Sequence, residues 1–244
     1  MKIQLLFFML VYSTALAFGQ EQITFPSLDS LPVSAQLYVN DNTKQFMVLF
    51  HQAGYSKGEY KETAPRLMNL GYNCLAVDLR AGGQVNFVQN ETANTAQQRK
   101  LPTTYMDAKQ DMESAINYAF EKSKMPVVVV GSSYSASLAL LVSKNNPKVK
   151  AVVAFSPGEY FGKSVSVESQ LKGFDKNVFI ACTQREYPYV VTLASNIPAN
   201  LKTIFKPQEA QGEHGSKCLW ASSPASKEYW LGLLMFFNKI NDKK

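Results

Sequence analysis

Val127-Val128-Val129-Val130-Gly131-Ser132-Ser133-Tyr134-Ser135 is the stretch on which the fold turns. Four valines in a row read as a strand buried on both faces, as in the interior of a parallel sheet. Behind it, Ser135–Ser143 is rich in small and aliphatic residues and reads as a helix. A serine between small residues at a sharp strand-to-helix turn is the pattern of a nucleophile elbow. Such a turn strains the backbone at Ser133 and exposes its hydroxyl. Strand and helix nearly touch there, so the residues two positions either side must be small. Gly131 meets that need fully, and Ser135 stands where a second glycine is usual. The start of the helix also aims its N–H groups and dipole at the site. The competing reading is a serine-rich cap on an ordinary helix, with Ser132 or Ser135 as alternative registers.

Outward from this stretch, strands and helices alternate. Ile23–Phe25 and Ser34–Val39 read as short strands joined by a turn around Asp29–Pro32. Phe46–His51 reads as a doubly buried strand, Glu59–Leu70 as a helix closed by Gly71, and Tyr72–Asp78 as the next strand. A helix is expected over about Tyr105–Glu121, and strands over Val149–Phe155, Asn177–Cys182 and Leu201–Phe205. Helices are expected over Tyr189–Ser195 and Ala225–Ile240. This alternation predicts one α/β domain over 20–244, three layers deep, with a mostly parallel sheet covered on both faces. The stretch Arg80–Thr104 is polar with little periodicity, and loops of that length are usually functional or mobile. It is the candidate to shape a pocket, with Tyr55, Tyr134, Tyr187 and Tyr189 as candidate walls. It also holds the sequon Asn90-Glu91-Thr92, a glycan acceptor in a eukaryotic secretory setting.

The chain has two histidines. His214 lies in Gly212-Glu213-His214-Gly215-Ser216, after the last strand and before the closing helix. A base on that loop can reach over Ser133, and flanking glycines suit a loop that must hold an imidazole in place. The plainer reading is a surface histidine. His51 ends its strand in Phe50-His51-Gln52-Ala53-Gly54-Tyr55 and is expected to hold that loop rather than act as base. The loop and the elbow together predict an oxyanion site built from backbone N–H groups of Gln52 or Ala53 and of Tyr134. The third member should be an acid after Asn177–Cys182, where Glu186 alone qualifies. Glu159, after the preceding strand, is the rival. Asp78 precedes the serine and falls outside the expected order of serine, acid and histidine.

Taken together, these motifs resemble the α/β-hydrolase family over nearly the whole mature chain. Within it, the sequence is most similar to the compact dienelactone-hydrolase-related group. The supporting stretches are the N-terminal strand pair, Leu49-Phe50-His51-Gln52-Ala53-Gly54, Asp78-Leu79-Arg80-Ala81-Gly82-Gly83, Gly131–Ser135 and Gly212–Ser216. The resemblance implies an α/β-hydrolase fold and cleavage of a small-molecule ester or related acyl substrate, without metal or cofactor. Typical dienelactone hydrolases carry Cys as nucleophile where this chain has Ser133, so the substrate does not carry over. The alternative is a catalytically silent relative that binds a ligand or partner.

Composition agrees with a globular protein: 46% hydrophobic and 18% charged residues, with a formal charge of +6. The basic residues are scattered, and no nucleic-acid motif is present. Lys2 followed by the apolar run from Ile3 to Phe18, with Ala15 and Ala17 near its end, reads as a signal peptide over 1–19. Cleavage after Ala17 or Gly19 fits, and predicts a periplasmic or secreted protein with no membrane span once the leader is removed. A membrane anchor would need about 20 apolar residues. Of three cysteines, Cys74 and Cys182 lie in apolar strand runs, where a buried free thiol is the default. Cys182 could pair with Cys218 only if their loops meet.

Overall fold

The computed structural model describes residues 19–41 and 43–241. Residues 1–18, and with them all but the last residue of the expected signal peptide, lie outside the described residues.

In chain order the strands are β1 Gly19–Pro26, β2 Pro32–Val39, β3 Phe46–Phe50, β4 Asn73–Val77, β5 Gln84–Val85, β6 Val88–Gln89, β7 Val127–Ser132, β8 Val149–Phe155, β9 Asn177–Ala181 and β10 Lys202–Phe205. The helices are α1 Thr63–Met68, α2 Glu91–Gln98, α3 Ala108–Ser123, α4 Tyr134–Ser143, α5 Val167–Gln170, α6 Tyr187–Leu193 and α7 Ser226–Asn241. Eight strands form one sheet in the order β1-β2-β4-β3-β7-β8-β9-β10. From β4 to β10 the neighbours are parallel, while β1 and β2 add on antiparallel at one edge.

The valine run explains why β7 is central. Val127 and Val129 face one core, packed on α3 and α4, and Val128 and Val130 face the other, against α1 and α7. Period-two alternation thus feeds two hydrophobic layers from one continuous apolar strand. Phe46, Val48 and Phe50 against Met47 and Leu49 do the same in β3. Each fully buried side chain of this size contributes about 1.5–3 kcal/mol. The sandwich therefore holds β3 and β7 rigidly, and their C-terminal ends carry the site.

Two segments differ from the sequence reading. The expected helix Glu59–Leu70 is a short 3-10 turn, Lys57–Tyr60, followed by α1. Pro65 is the cause: it has no N–H for the Lys61 carbonyl and is tolerated only in a first helical turn. The polar stretch Arg80–Thr104 is not a loop throughout. It contains the hairpin β5–β6 and the helix α2, whose N-cap Asn90 accepts the Ala93 N–H at 2.8 Å. Asn90 is fully buried, and its amide nitrogen bonds the carbonyls of Leu79 and Tyr55. A glycan there would require undoing those bonds, so the sequon is structural.

The three cysteines are free and buried. Among the described residues, no helix is long and apolar enough to cross a membrane.

Candidate active site

Ser133 sits between β7 and α4 at φ 58°, ψ −122°. For a non-glycine residue this backbone costs about 1–3 kcal/mol and persists only where the surroundings enforce it. Here the Ser133 N–H is held by the Phe155 carbonyl at 2.8 Å. The small residues around it have a measurable reason. A Cβ on Gly131 would lie 2.4 Å from the Ser135 carbonyl oxygen and 2.6 Å from Ala136 Cα. Ser135 fits in the second small position because its hydroxyl is absorbed. Its Oγ lies 2.8 Å from the Phe50 carbonyl, accepts the Ser132 N–H at 2.9 Å, and so ties the elbow to the end of β3.

Three predicted side chains come together. His214 Nε2 lies 2.8 Å from Ser133 Oγ, and His214 Nδ1 lies 2.5 Å from Glu186 Oε1. Glu186 Oε2 accepts the Ser156 hydroxyl at 2.8 Å and the Thr183 N–H at 2.9 Å. Burial raises the Glu186 pKa, but the hydrogen bonds from His214, Thr183 and Ser156 outweigh it and bring the group down to about 2. The carboxylate is therefore ionised, with one oxygen aimed at the imidazole. The His214 loop needs its glycines: Gly212 and Gly215 have φ of +79° and +76°. A Cβ on Gly212 would meet the Tyr229 hydroxyl at 2.2 Å, and one on Gly215 the Ser132 Oγ at 2.6 Å. The rival Glu159 lies elsewhere, accepting the Val167 and Glu168 N–H groups at 2.7 and 2.9 Å at the start of α5.

His51 is fully buried and structural. Its Nε2 accepts the Leu79 N–H at 2.9 Å, so Nδ1 carries the proton and donates to the Gln52 carbonyl at 2.8 Å. Burial holds its pKa below the usual imidazole value, against the pull of nearby Asp78. Asp78 is buried in an ion pair with Lys57 at 2.8 Å.

The expected oxyanion donors divide. Tyr134 is the first residue of α4, where N–H groups lack an intrahelical acceptor. The Gln52 N–H is not available: it donates to Glu59 Oε2 at 2.7 Å. This corrects the choice of Gln52 and leaves Ala53 as the candidate on that loop.

Two residues near the site escaped the sequence reading. Glu59 was expected to open a helix, where an acid is ordinary. It is instead fully buried beside Ser132 and Ser216. Tyr160 neighbours Ser133 and donates its hydroxyl to the Ser156 carbonyl at 3.0 Å. Its only sequence signal was proximity to Glu159. Of the expected aromatic walls, Tyr134 stacks on Tyr105 with centroids 4.3 Å apart, and Tyr55 stacks on Trp220 at 6.5 Å. Tyr189 accepts the Glu159 N–H at 2.7 Å, and Tyr187 lies under the Lys206 ammonium.

The sequence model of the dienelactone hydrolase family matches residues 33–183. Solved structures with the same fold include the Pyrococcus furiosus esterase Pf2001, with TM-score 0.69 and 18% identity, covering 91% of this chain and 93% of that one. The dienelactone hydrolase of Anabaena variabilis has TM-score 0.65 and 15% identity, covering 90% and 95%. The esterase domain of a Rhodothermus marinus protein has TM-score 0.62 and 14% identity, covering 91% and 98%. At these identities the likeness is one of fold. No curated protein matches the chain.

Proposed function

The chain belongs to the dienelactone hydrolase family, and from that premise we propose that it is a serine hydrolase cleaving a carboxylic ester or related acyl bond through an acyl-enzyme on Ser133. One observation carries the reading: an unbroken line of contacts from Ser133 Oγ through the His214 ring to the ionised Glu186, at 2.8 and 2.5 Å.

In the proposed reaction, neutral His214 accepts the Ser133 proton at Nε2 while Oγ bonds to the substrate carbonyl carbon. Glu186 keeps the other ring proton on Nδ1 and stabilises the imidazolium that forms. Negative charge on the former carbonyl oxygen is met by the N–H groups of Tyr134 and Ala53. Each donor is worth roughly 3 kcal/mol at the transition state. The bond to the leaving group then breaks, and the imidazolium returns its proton to the departing oxygen. Water attacks the acyl-enzyme with the same base and releases the acid and Ser133.

A fluorophosphonate probe tests this. Labelling of the wild type at Ser133 is expected, abolished in Ser133→Ala and retained, if slower, in Ser132→Ala. A folded wild type that never labels would leave the second reading, a silent relative that binds a ligand. The basic and apolar leader at Lys2–Phe18 supports export to a periplasmic or secreted location. N-terminal sequencing of the mature protein, starting at residue 18 or 20, is the check.

A further inference from the structure

Glu59 is fully buried, and among the described residues it has no ion pair. Burying an acid with no cation beside it opposes folding, so its presence needs a reason. Its contacts supply one. Glu59 Oε1 accepts the hydroxyls of Ser132 at 2.7 Å and Ser216 at 2.6 Å. Oε2 accepts the Gln52 N–H at 2.7 Å. Ser132 Oγ in turn accepts the Ser216 N–H at 2.8 Å. The carboxyl group thus meets all three donors at once.

Each donor stands next to a group with a proposed part in the reaction. Ser132 precedes Ser133, Ser216 is two residues beyond His214, and Gln52 precedes Ala53. The elbow, the histidine loop and the oxyanion loop arrive from distant parts of the chain, at the ends of β7, β10 and β3. The Ser216 N–H to Ser132 Oγ and the Ser135 hydroxyl to the Phe50 carbonyl join these segments in pairs, whereas the Glu59 carboxyl group touches all three. The packing is close: a Cβ on Gly215 would approach Ser132 Oγ at 2.6 Å and Gln52 Oε1 at 3.1 Å.

We propose that Glu59 is a positioning residue, a single buried carboxylate that clamps nucleophile, base and oxyanion donor into register. The proposal rests on the reading of Ser133 as nucleophile and His214 as base. Burial raises the Glu59 pKa, while the bonds from Ser216, Gln52 and Ser132 work to keep it charged. Glu59→Gln keeps the shape but replaces one acceptor oxygen by an N–H₂, so the Gln52 N–H and the two serine hydroxyls can no longer all be accepted as they are by the carboxylate. Misplacement of reacting groups by about an ångström can cost on the order of 100-fold in rate.

The test compares kcat and KM for p-nitrophenyl acetate across the full-length wild type, Glu59→Gln, Ser216→Ala and the double variant, well below their melting temperatures. Glu59→Gln is expected to lower kcat about 10- to 100-fold with KM within about threefold. Ser216→Ala should lower kcat less, and the double variant no further than Glu59→Gln alone, because both cut the same clamp. A folded Glu59→Gln with wild-type kcat, a loss confined to KM, or losses that multiply in the double variant would each overturn the proposal. If Glu59→Gln does not fold, Ser132→Ala, Ser216→Ala and their double variant give the same readout, and kcat losses that multiply or are absent refute it. Fluorophosphonate labelling of the wild type separates the two levels. No label on folded wild type sinks the hydrolase reading and the clamp with it, whereas a labelled wild type with an unaffected Glu59→Gln sinks the clamp alone.

Discussion

His214 and Ser133, 81 residues apart in sequence, meet with Nε2 2.8 Å from Oγ, while Glu186 bonds the opposite ring nitrogen. This geometry makes the ring tautomer decisive. With Glu186 ionised, Nδ1 keeps the proton and Nε2 is free to accept one. In Glu186→Gln the side-chain amide can donate to Nδ1, which moves the ring proton to Nε2, facing Ser133, where it blocks proton acceptance. The expected result is a fall in kcat of about 10³–10⁴-fold with the fold intact. Steady-state kinetics on a p-nitrophenyl ester would show it, and a loss under tenfold would contradict the role of Glu186.

The elbow makes a second, steric prediction. Any side chain at Gly131 drives a Cβ into the backbone of Ser135 and Ala136, which are part of the first turn of α4 and cannot rotate away. Gly131→Ala should therefore destabilise the protein by about 1–3 kcal/mol, as overpacking does. It should also slow labelling at Ser133, because the turn that presents the hydroxyl must open. Denaturant unfolding with an unchanged midpoint would show that strand and helix have more freedom than their packing implies.

Why the fold was legible and part of the site was not follows from the kind of signal each leaves. The valines of β7, the apolar run of β3 and the closing helix α7 are long periodic or continuous patterns, and burial enforces them. That Ser133, Glu186 and His214 meet was legible because each follows a strand and the proposed reaction calls for those residue types. Glu59 left no such trace. Its role arises from Ser132 and Ser216, 73 and 157 positions away, and nothing near Gly58-Glu59-Tyr60 distinguishes a buried clamp from a helix-start acid. The Gln52 correction has the same origin, since the acceptor of its N–H is that carboxylate. Helix α2 was hidden for another reason: it is short and polar, and its one local sign, Asn90 as N-cap, looked like a glycan acceptor.

Arg80 carries the third prediction. It is fully buried, with Asp111 at 2.7 Å and Asp29 at 2.8 Å, and it anchors the start of the segment that leads into β5–β6. Asp111 is equally buried and also accepts the Arg80 N–H at 3.0 Å. Arg80→Leu would leave that carboxylate without a cation in the interior, at a cost of about 3–5 kcal/mol. Replacing both Arg80 and Asp111 by leucine should recover part of the loss, since no uncompensated buried charge remains at that position. Urea unfolding of the single and double variants measures the difference. A double variant less stable than Arg80→Leu would refute this account.

The last prediction concerns acid stability. Glu186 has a folded pKa of about 2 against an ordinary 4.5, because its bonds from His214, Thr183 and Ser156 overcome the penalty of burial. A depressed carboxylate stabilises the folded state wherever it is ionised in both states, that is, above about pH 4.5. As pH falls below that value the unfolded chain takes up the proton first, and the stabilisation drains away until the folded carboxylate also titrates near pH 2. Glu186→Gln removes this term and keeps the side-chain size. The stability difference between wild type and variant should therefore be level above about pH 5, then shrink steadily toward pH 2. Equilibrium unfolding across that range reads it directly. A difference that stays constant down to pH 2 would mean that the contacts around Glu186 do not favour its charged form.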